Sequence, residues 1–148
     1  MRVDIKIDPD IGEQNAVMNI SKMTTEIMAI VEMLEQIDGN PSLLFVKKDS
    51  KLFVIEPKQI DIIRIEGSET KLYNSEAQEF TINKPLREIG EQFGYVFIRI
   101  SKSAIVNIKR VDHLSPSFNS TTHIVMKNGI SDYISRKHLA DFKKRLGL

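Results

Sequence analysis

The chain has 148 residues, 41% of them apolar and 28% charged, with no cysteine and a formal net charge of +1. That length suits one domain, or one domain with a small appendage. The lack of cysteine excludes disulfides and thiolate metal sites and is compatible with a reducing cytoplasm, while no apolar run approaches membrane-spanning length and Met1-Arg2-Val3-Asp4 does not read as a signal peptide.

The small total charge conceals a gradient. Residues 1–40 carry three Lys/Arg against eight Asp/Glu, residues 41–83 six against seven, and residues 84–148 twelve against five. A basic C-terminal half predicts a polyanionic partner for that half.

Residues 2–8 alternate Val3, Ile5 and Ile7 with Asp4, Lys6 and Asp8, which predicts a half-buried strand. Pro9 to Gly12 turns the chain, and residues 15–20 form a second candidate strand. Ser21 is read as the cap of a helix running to about Asp38, closed by Gly39 and Pro41. Ile20, Met23, Ile27, Ile30, Leu34 and Ile37 make a narrow apolar stripe on it. The stripe is expected to pack on the N-terminal strand; pairing with a second subunit is the alternative.

From Ser42 the texture changes to short strands. Residues 43–46 and 52–55 flank Lys47-Lys48-Asp49-Ser50-Lys51 as a hairpin. Residues 59–66, 70–74 and 79–82 are three further strands. Asn83 or Lys84 opens a short helix with Pro85 at its first position and Leu86, Ile89 and Phe93 inward. Strands follow at 96–100 and 104–106, then at 111–114 and 122–126 around Pro116-Ser117-Phe118-Asn119-Ser120. Lys127-Asn128-Gly129 turns into a strand at 130–134. Ser135 caps a last helix, 136–146, with Leu139, Phe142 and Leu146 inward and five cations outward. The fold class is therefore α+β, mainly β.

Between the strands at 96–100 and 104–106 lies the polar knot Ser101-Lys102-Ser103. Two hydroxyls, an ammonium and turn amides suit phosphate oxygens, although the same serines can simply satisfy their own backbone. Catalytic signals are weak: His113, His123 and His138 lack metal-ligand spacing, and no phosphate-binding glycine loop or nucleophile elbow occurs. Ser101 or Ser103 with Lys102 makes a poor nucleophile pair, because adjacent strand residues point to opposite faces. No cofactor is expected. The cations Lys84, Arg87, Arg99, Lys102, Lys109, Arg110, Arg136 and Lys137 sit at element ends and turns, without interleaved aromatics. That pattern favours duplex DNA held through phosphates over single strands.

The run Phe97-Ile-Arg-Ile-Ser-Lys-Ser-Ala-Ile-Val-Asn107, then Ile108 to Leu114, a strand, Lys127-Asn-Gly129 and Ser135-Arg136 opening a helix, resembles the LytTR DNA-binding domain of bacterial transcriptional regulators. The resemblance covers roughly residues 44–148. It implies a mostly β domain with short antiparallel sheets and a brief helix, which reads duplex DNA from one side with loops in successive major grooves. Carried over by position, it implies base reading by Thr70, Lys71, Lys102, Arg136 and Lys137. It implies phosphate contacts from Lys84, Arg87, Ser101 and Ser103. Arg136 is the favoured base reader, since a guanidinium can grip guanine O6 and N7 together. Asn107 is expected to hold a turn and Arg99 to pair with a carboxylate.

The resemblance further implies a stand-alone, receiver-less regulator, with residues 1–41 as a strand–helix extension and 42–148 as the DNA-binding domain. It implies a cytoplasmic homodimer on repeated sites, sometimes restrained by a small membrane protein encoded nearby. The competing reading is a protein-interaction module whose basic face meets an acidic partner or an anionic membrane surface.

Overall fold

A computed structural model describes residues 1–12, 15–35, 43–116 and 121–148. The expected helix end at Ile37, Asp38, Gly39 and Pro41, and most of the turn after Pro116, lie outside the described residues.

The core of the molecule is a seven-stranded antiparallel sheet. Its strands are β1 (Leu44–Lys48), β2 (Lys51–Ile55), β3 (Ile60–Glu66), β4 (Glu69–Asn74), β5 (Glu79–Thr81), β6 (Phe97–Ser101) and β7 (Ala104–Asn107), in the order β2-β1-β5-β4-β3-β7-β6. A three-stranded sheet follows, from β8 (Val111–Pro116), β9 (Thr122–Met126) and β10 (Ser131–Ile134), in the order β10-β9-β8. The helices are α1 (Thr25–Glu35), α2 (Leu86–Gln92) and α3 (Arg136–Arg145).

Strand alternation sends side chains to two cores on either face of the large sheet. One core holds Val46, Ile63, Leu72, Phe97 and Ile105 beneath Leu86 and Ile89 of α2 and Phe93 at its C-terminal cap. The other holds Ile62, Ile98, Ile100 and Val106 beneath Ile124 and Ile134 of the small sheet, Met28 of α1 and Phe142 of α3. β7, between β3 and the edge strand β6, is buried along its whole length because both its faces are covered. The hairpin between β1 and β2 is tight: Asp49 and Ser50 both take positive φ, 51° and 61°. That is the mirror-image turn whose twist matches the strands it joins.

Several expectations change. Residues 2–8 form no strand, and Val3, Ile5 and Ile7 stay 73%, 85% and 86% exposed. Residues 15–20 form none either. The helix cap is Thr24, whose Oγ1 accepts the Ile27 N–H at 3.2 Å, rather than Ser21. The helix stripe finds no N-terminal strand; Met28, off the predicted stripe, is its buried anchor, and Glu32 pairs with Lys109 at 3.0 Å. Pro85 precedes α2 as its cap residue instead of occupying its first position. Ser135 does stand at the cap of α3, but its hydroxyl meets His138 Nδ1 at 2.6 Å, and its carbonyl accepts the His138 and Leu139 amides.

The two sheets are joined by a buried polar latch. Asp61 is fully buried. It accepts from Arg110 Nε at 2.8 Å, the Asn128 amide at 3.0 Å and Ser75 Oγ at 3.2 Å. Asn128 also donates to the Asn74 carbonyl at 2.9 Å, tying the β9–β10 hairpin to β4. Gly129, at φ 91°, supplies the left-handed step that this turn needs. Asn107 holds its turn as expected, donating to the Ile60 carbonyl and accepting the Lys109 amide.

Candidate nucleic-acid interface

The register of the large sheet brings the turns of interest to one end. The Ser103 carbonyl accepts the Ile65 amide at 2.8 Å; Ile65 pairs with Thr70; the Thr70 carbonyl accepts the Ile82 amide at 3.0 Å, two residues before Lys84. On the other side Ser101 pairs with Ala104 at the mouth of the β6–β7 turn. The Ser135 amide donates to the Ile100 carbonyl at 2.9 Å and seats the start of α3 beside that turn. A continuous row of main-chain contacts therefore runs from the first turn of α3, across β6, β7, β3 and β4, to the end of β5. The β5-to-β6 span is four strand spacings of about 4.8 Å, roughly 19 Å. Half a turn of B-form DNA advances roughly 17 Å, so a rigid row of this length matches the scale of a duplex.

Each predicted residue has a place on or near the row. Lys102 and Ser103 are exposed at the β6–β7 turn, and Arg136 and Lys137 are exposed on the first turn of α3. Thr70 lies in the row itself, half-buried on β4. Lys84 follows β5, where its ammonium donates to Gln92 Oε1 at 2.7 Å. Arg87 lies on the opening turn of α2, largely exposed, 3.4 Å from Glu91. Ser101 is half-buried and its hydroxyl accepts the Ser103 amide at 3.1 Å, so part of its capacity closes the turn. Lys71 departs from the expectation of a free reader: it is 25% exposed and pairs with Glu79 at 3.4 Å. Its neighbour across the sheet, Arg64, is bound to Asp132 at 3.3 Å and to the Ser131 carbonyl.

Arg99 has a role that sequence reasoning missed. Among the described residues it pairs with no carboxylate. Its Nε donates to the Ser101 carbonyl at 2.7 Å and a terminal nitrogen to the Lys102 carbonyl at 2.6 Å. One guanidinium thus braces the polar knot from within its own strand. The visible signal was the i, i+2, i+3 spacing of Arg99, Ser101 and Lys102, which only a curled-back side chain exploits. His138 faces the same cluster. Burial, then the nearby Lys137 and Arg99 cations, hold its imidazolium below the usual histidine range, with Asp141 opposing them.

On the sheet face beside the row, Tyr73 lies under Arg64, whose guanidinium is 5.1 Å from the ring centroid. The Tyr73 hydroxyl shares its one proton between two carboxylates, in a short bond to Glu66 and at 3.0 Å from Glu79. Burial and these two carboxylates push the phenol up to about 12. Tyr73 in turn, with Lys71, holds Glu79 below the usual carboxylate range, against a smaller opposing effect of burial. Among the described residues no group of three or more His, Cys, Asp or Glu is placed to hold a metal ion.

A family model described as the LytTr DNA-binding domain matches residues 50–147. This chain belongs to the LytTR family. Its fold agrees with a solved LytTr DNA-binding domain from a Bacillus cereus protein described as a methyl-accepting/DNA response regulator: TM-score 0.67, 23% identity, 74% of this chain and all of that one. Among curated proteins, the chain is 22% identical over 138 residues to the sensory transduction protein LytT of Enterococcus faecalis. That match takes in 92% of this chain but only 57% of LytT, so the chain spans little more than half of that relative. It is 24% identical over 148 residues to an uncharacterized HTH-type transcriptional regulator of Staphylococcus aureus, covering 100% of this chain and 99% of the relative. Among the described residues of this LytTR chain, α2 and α3 are each preceded by strand or loop rather than by another helix, so the contact row is not a helix-turn-helix. No described helix is long and apolar enough to cross a membrane.

Proposed function

We propose that this LytTR chain is a sequence-specific regulator of transcription that binds double-stranded DNA along the row described above. The observation that carries the reading is the main-chain row linking Ser135, Ile100, Ser103, Ile65, Thr70 and Ile82, which holds cationic turns at fixed spacing on one end of the sheet. In this reading Arg136, Lys137 and Lys102 enter the major groove, with Thr70 towards the β5 end of the row. Lys71 joins them only by leaving Glu79 for the DNA. Lys84, Arg87, Ser101 and Ser103 grip phosphates. Such a division gives register from the backbone and specificity from few base contacts.

Residues 1–41 act as an appendage, clamped to the 42–148 domain by Met28 and by the Glu32–Lys109 pair. The protein works in the cytoplasm as a dimer on repeated sites, with no catalytic step. A small membrane protein as its restraint is the extension of this reading to its surroundings. The acidic-partner alternative gains no specific support from the geometry, since the row's spacing suits a duplex.

The test is a competition binding assay with Arg136→Ala. It should lose roughly 1–3 kcal/mol on its operator and relax preference at about one base. Equal loss on operator and random DNA would remove Arg136 from base reading. Failure of the parent chain to prefer any promoter fragment over random duplex would overturn the function.

A further inference from the structure

Residues 2–8 carry an alternating pattern made for a sheet, yet among the described residues they pair with no strand. Val3, Ile5 and Ile7 are among the most exposed apolar side chains in the chain. The large sheet has a matching vacancy. β2 is its terminal strand and, among the described residues, pairs only with β1. On β2, Leu52 and Val54 are 63% and 54% exposed, and Phe45, opposite Val54 on β1, is 58% exposed. These three share a face. It is the face that α1, α3 and the small sheet cover farther along, towards β6. Other edges are better protected. The β6 carbonyl of Ile100 is taken by Ser135, the Ser131 carbonyl of β10 by Arg64, and β8 ends in Pro116. An exposed apolar edge strand is a template for another strand.

We propose that residues 2–8 of a second copy of this chain add to the free edge of β2 as a further strand, laying Val3, Ile5 and Ile7 beside Leu52 and Val54. Period-two alternation then sends Arg2, Asp4, Lys6 and Asp8 to the opposite face. That face of the β1–β2 hairpin carries Lys48 and Lys51, which are register partners. The carboxylates of Asp4 and Asp8 so fall towards Lys51 on β2, the strand that borders them; the Lys48 ammonium is already seated over the Phe80 ring, 5.3 Å from its centroid. The occupant is a second copy because the chain's own segment lies off its own β2, exposed. Reciprocal exchange gives each copy one donated strand and one accepted strand. The inference is independent of DNA binding, and its test contains no DNA.

The absence of cysteine makes the test direct. One full-length chain carries Ile5→Cys and another carries Leu52→Cys or Val54→Cys; all three sites are exposed, so folding is not at stake. Mixed and mildly oxidised, they should give a disulfide-linked species of twice the 16.9 kDa chain mass. Arg87→Cys, on the far α2 surface, should not link to Ile5→Cys. Amide exchange at residues 52–55 should slow as protein concentration rises, and Ile5→Asp with Ile7→Asp should abolish that dependence. A bond that closes only within a doubly substituted single chain would overturn the second copy. No bond in either arrangement, or amide exchange indifferent to concentration, would overturn the pairing itself.

Discussion

Asp61→Ala should destabilise this protein more than any surface substitution, and the structure sets the size. The Asp61 side chain is fully buried, whereas that of Arg110 is 29% exposed. The substitution removes the ion pair at 2.8 Å and leaves the Asn128 amide without its acceptor, while the Ser75 hydroxyl keeps the Gln59 carbonyl at 3.1 Å. Breaking a buried pair by deleting one partner costs about 3–5 kcal/mol. Part of that returns here, because Arg110 can turn to water and the desolvation cost of the Asp61 carboxylate disappears. A net loss of about 3 kcal/mol is expected, a melting point lower by roughly 10 °C for a chain of this size. Asp61→Asn keeps the volume and one carbonyl acceptor and should lose about half as much. Urea unfolding followed by circular dichroism measures both. The latch holds the β9–β10 hairpin to the large sheet, and β10 leads into α3, so DNA affinity should fall with stability in Asp61→Ala. A loss below about 1 kcal/mol with an unchanged urea slope would refute the argument that this polar cluster joins the two sheets.

Lys84→Ala should weaken operator and random DNA alike and lower the salt dependence of log K by about one phosphate's worth, near 0.9, in a salt titration. Arg99→Met should reduce DNA binding by about as much as Lys102→Ala, because it frees the turn that aims Lys102. The double variant should lose little more than either alone, and strict additivity would separate the two residues. The Tyr73 phenol should titrate at about 12 in an ultraviolet difference titration against Tyr73→Phe, well above the ordinary value near 10. Since its folded value is raised, Tyr73 adds stability that is fully present below pH 10 and lost as pH rises through 12. A component missing near pH 10 instead would mean that the Glu66 and Glu79 bonds do not persist in solution.

The elements from β1 onward were legible because their signals are local. Alternating Ile and Val, the Asp49-Ser50 and Asn128-Gly129 turns and the inward triplet Leu86, Ile89 and Phe93 need only nearest neighbours to declare themselves, and all are found in the fold. The segments at residues 2–8 and 15–20 were not legible in this way, although the helix that follows them was. Val3, Ile5 and Ile7 have the period of a strand, but a strand exists only where an edge pairs with it, and among the described residues no edge of this copy does. The helix stripe was read from spacing alone. Its true orientation follows from the pocket that admits Met28, built by residues scattered from Ile62 to Phe142.

For the candidate interface, the residue types came from the sequence: Lys102 between two serines, Arg136 after a capping serine, cations concentrated after residue 83. Their arrangement did not. Strand order and register put Ser103, Thr70 and Ile82 in one row, and a single amide from Ser135 to Ile100 seats α3 beside it. Ion pairs and side-chain braces were likewise hidden, because Lys71 meets Glu79 and Arg99 curls onto its own turn only after the backbone has placed them. Local chemistry decides which groups a chain offers; distant pairing, governed by what buries the most apolar surface, decides which of them stand together.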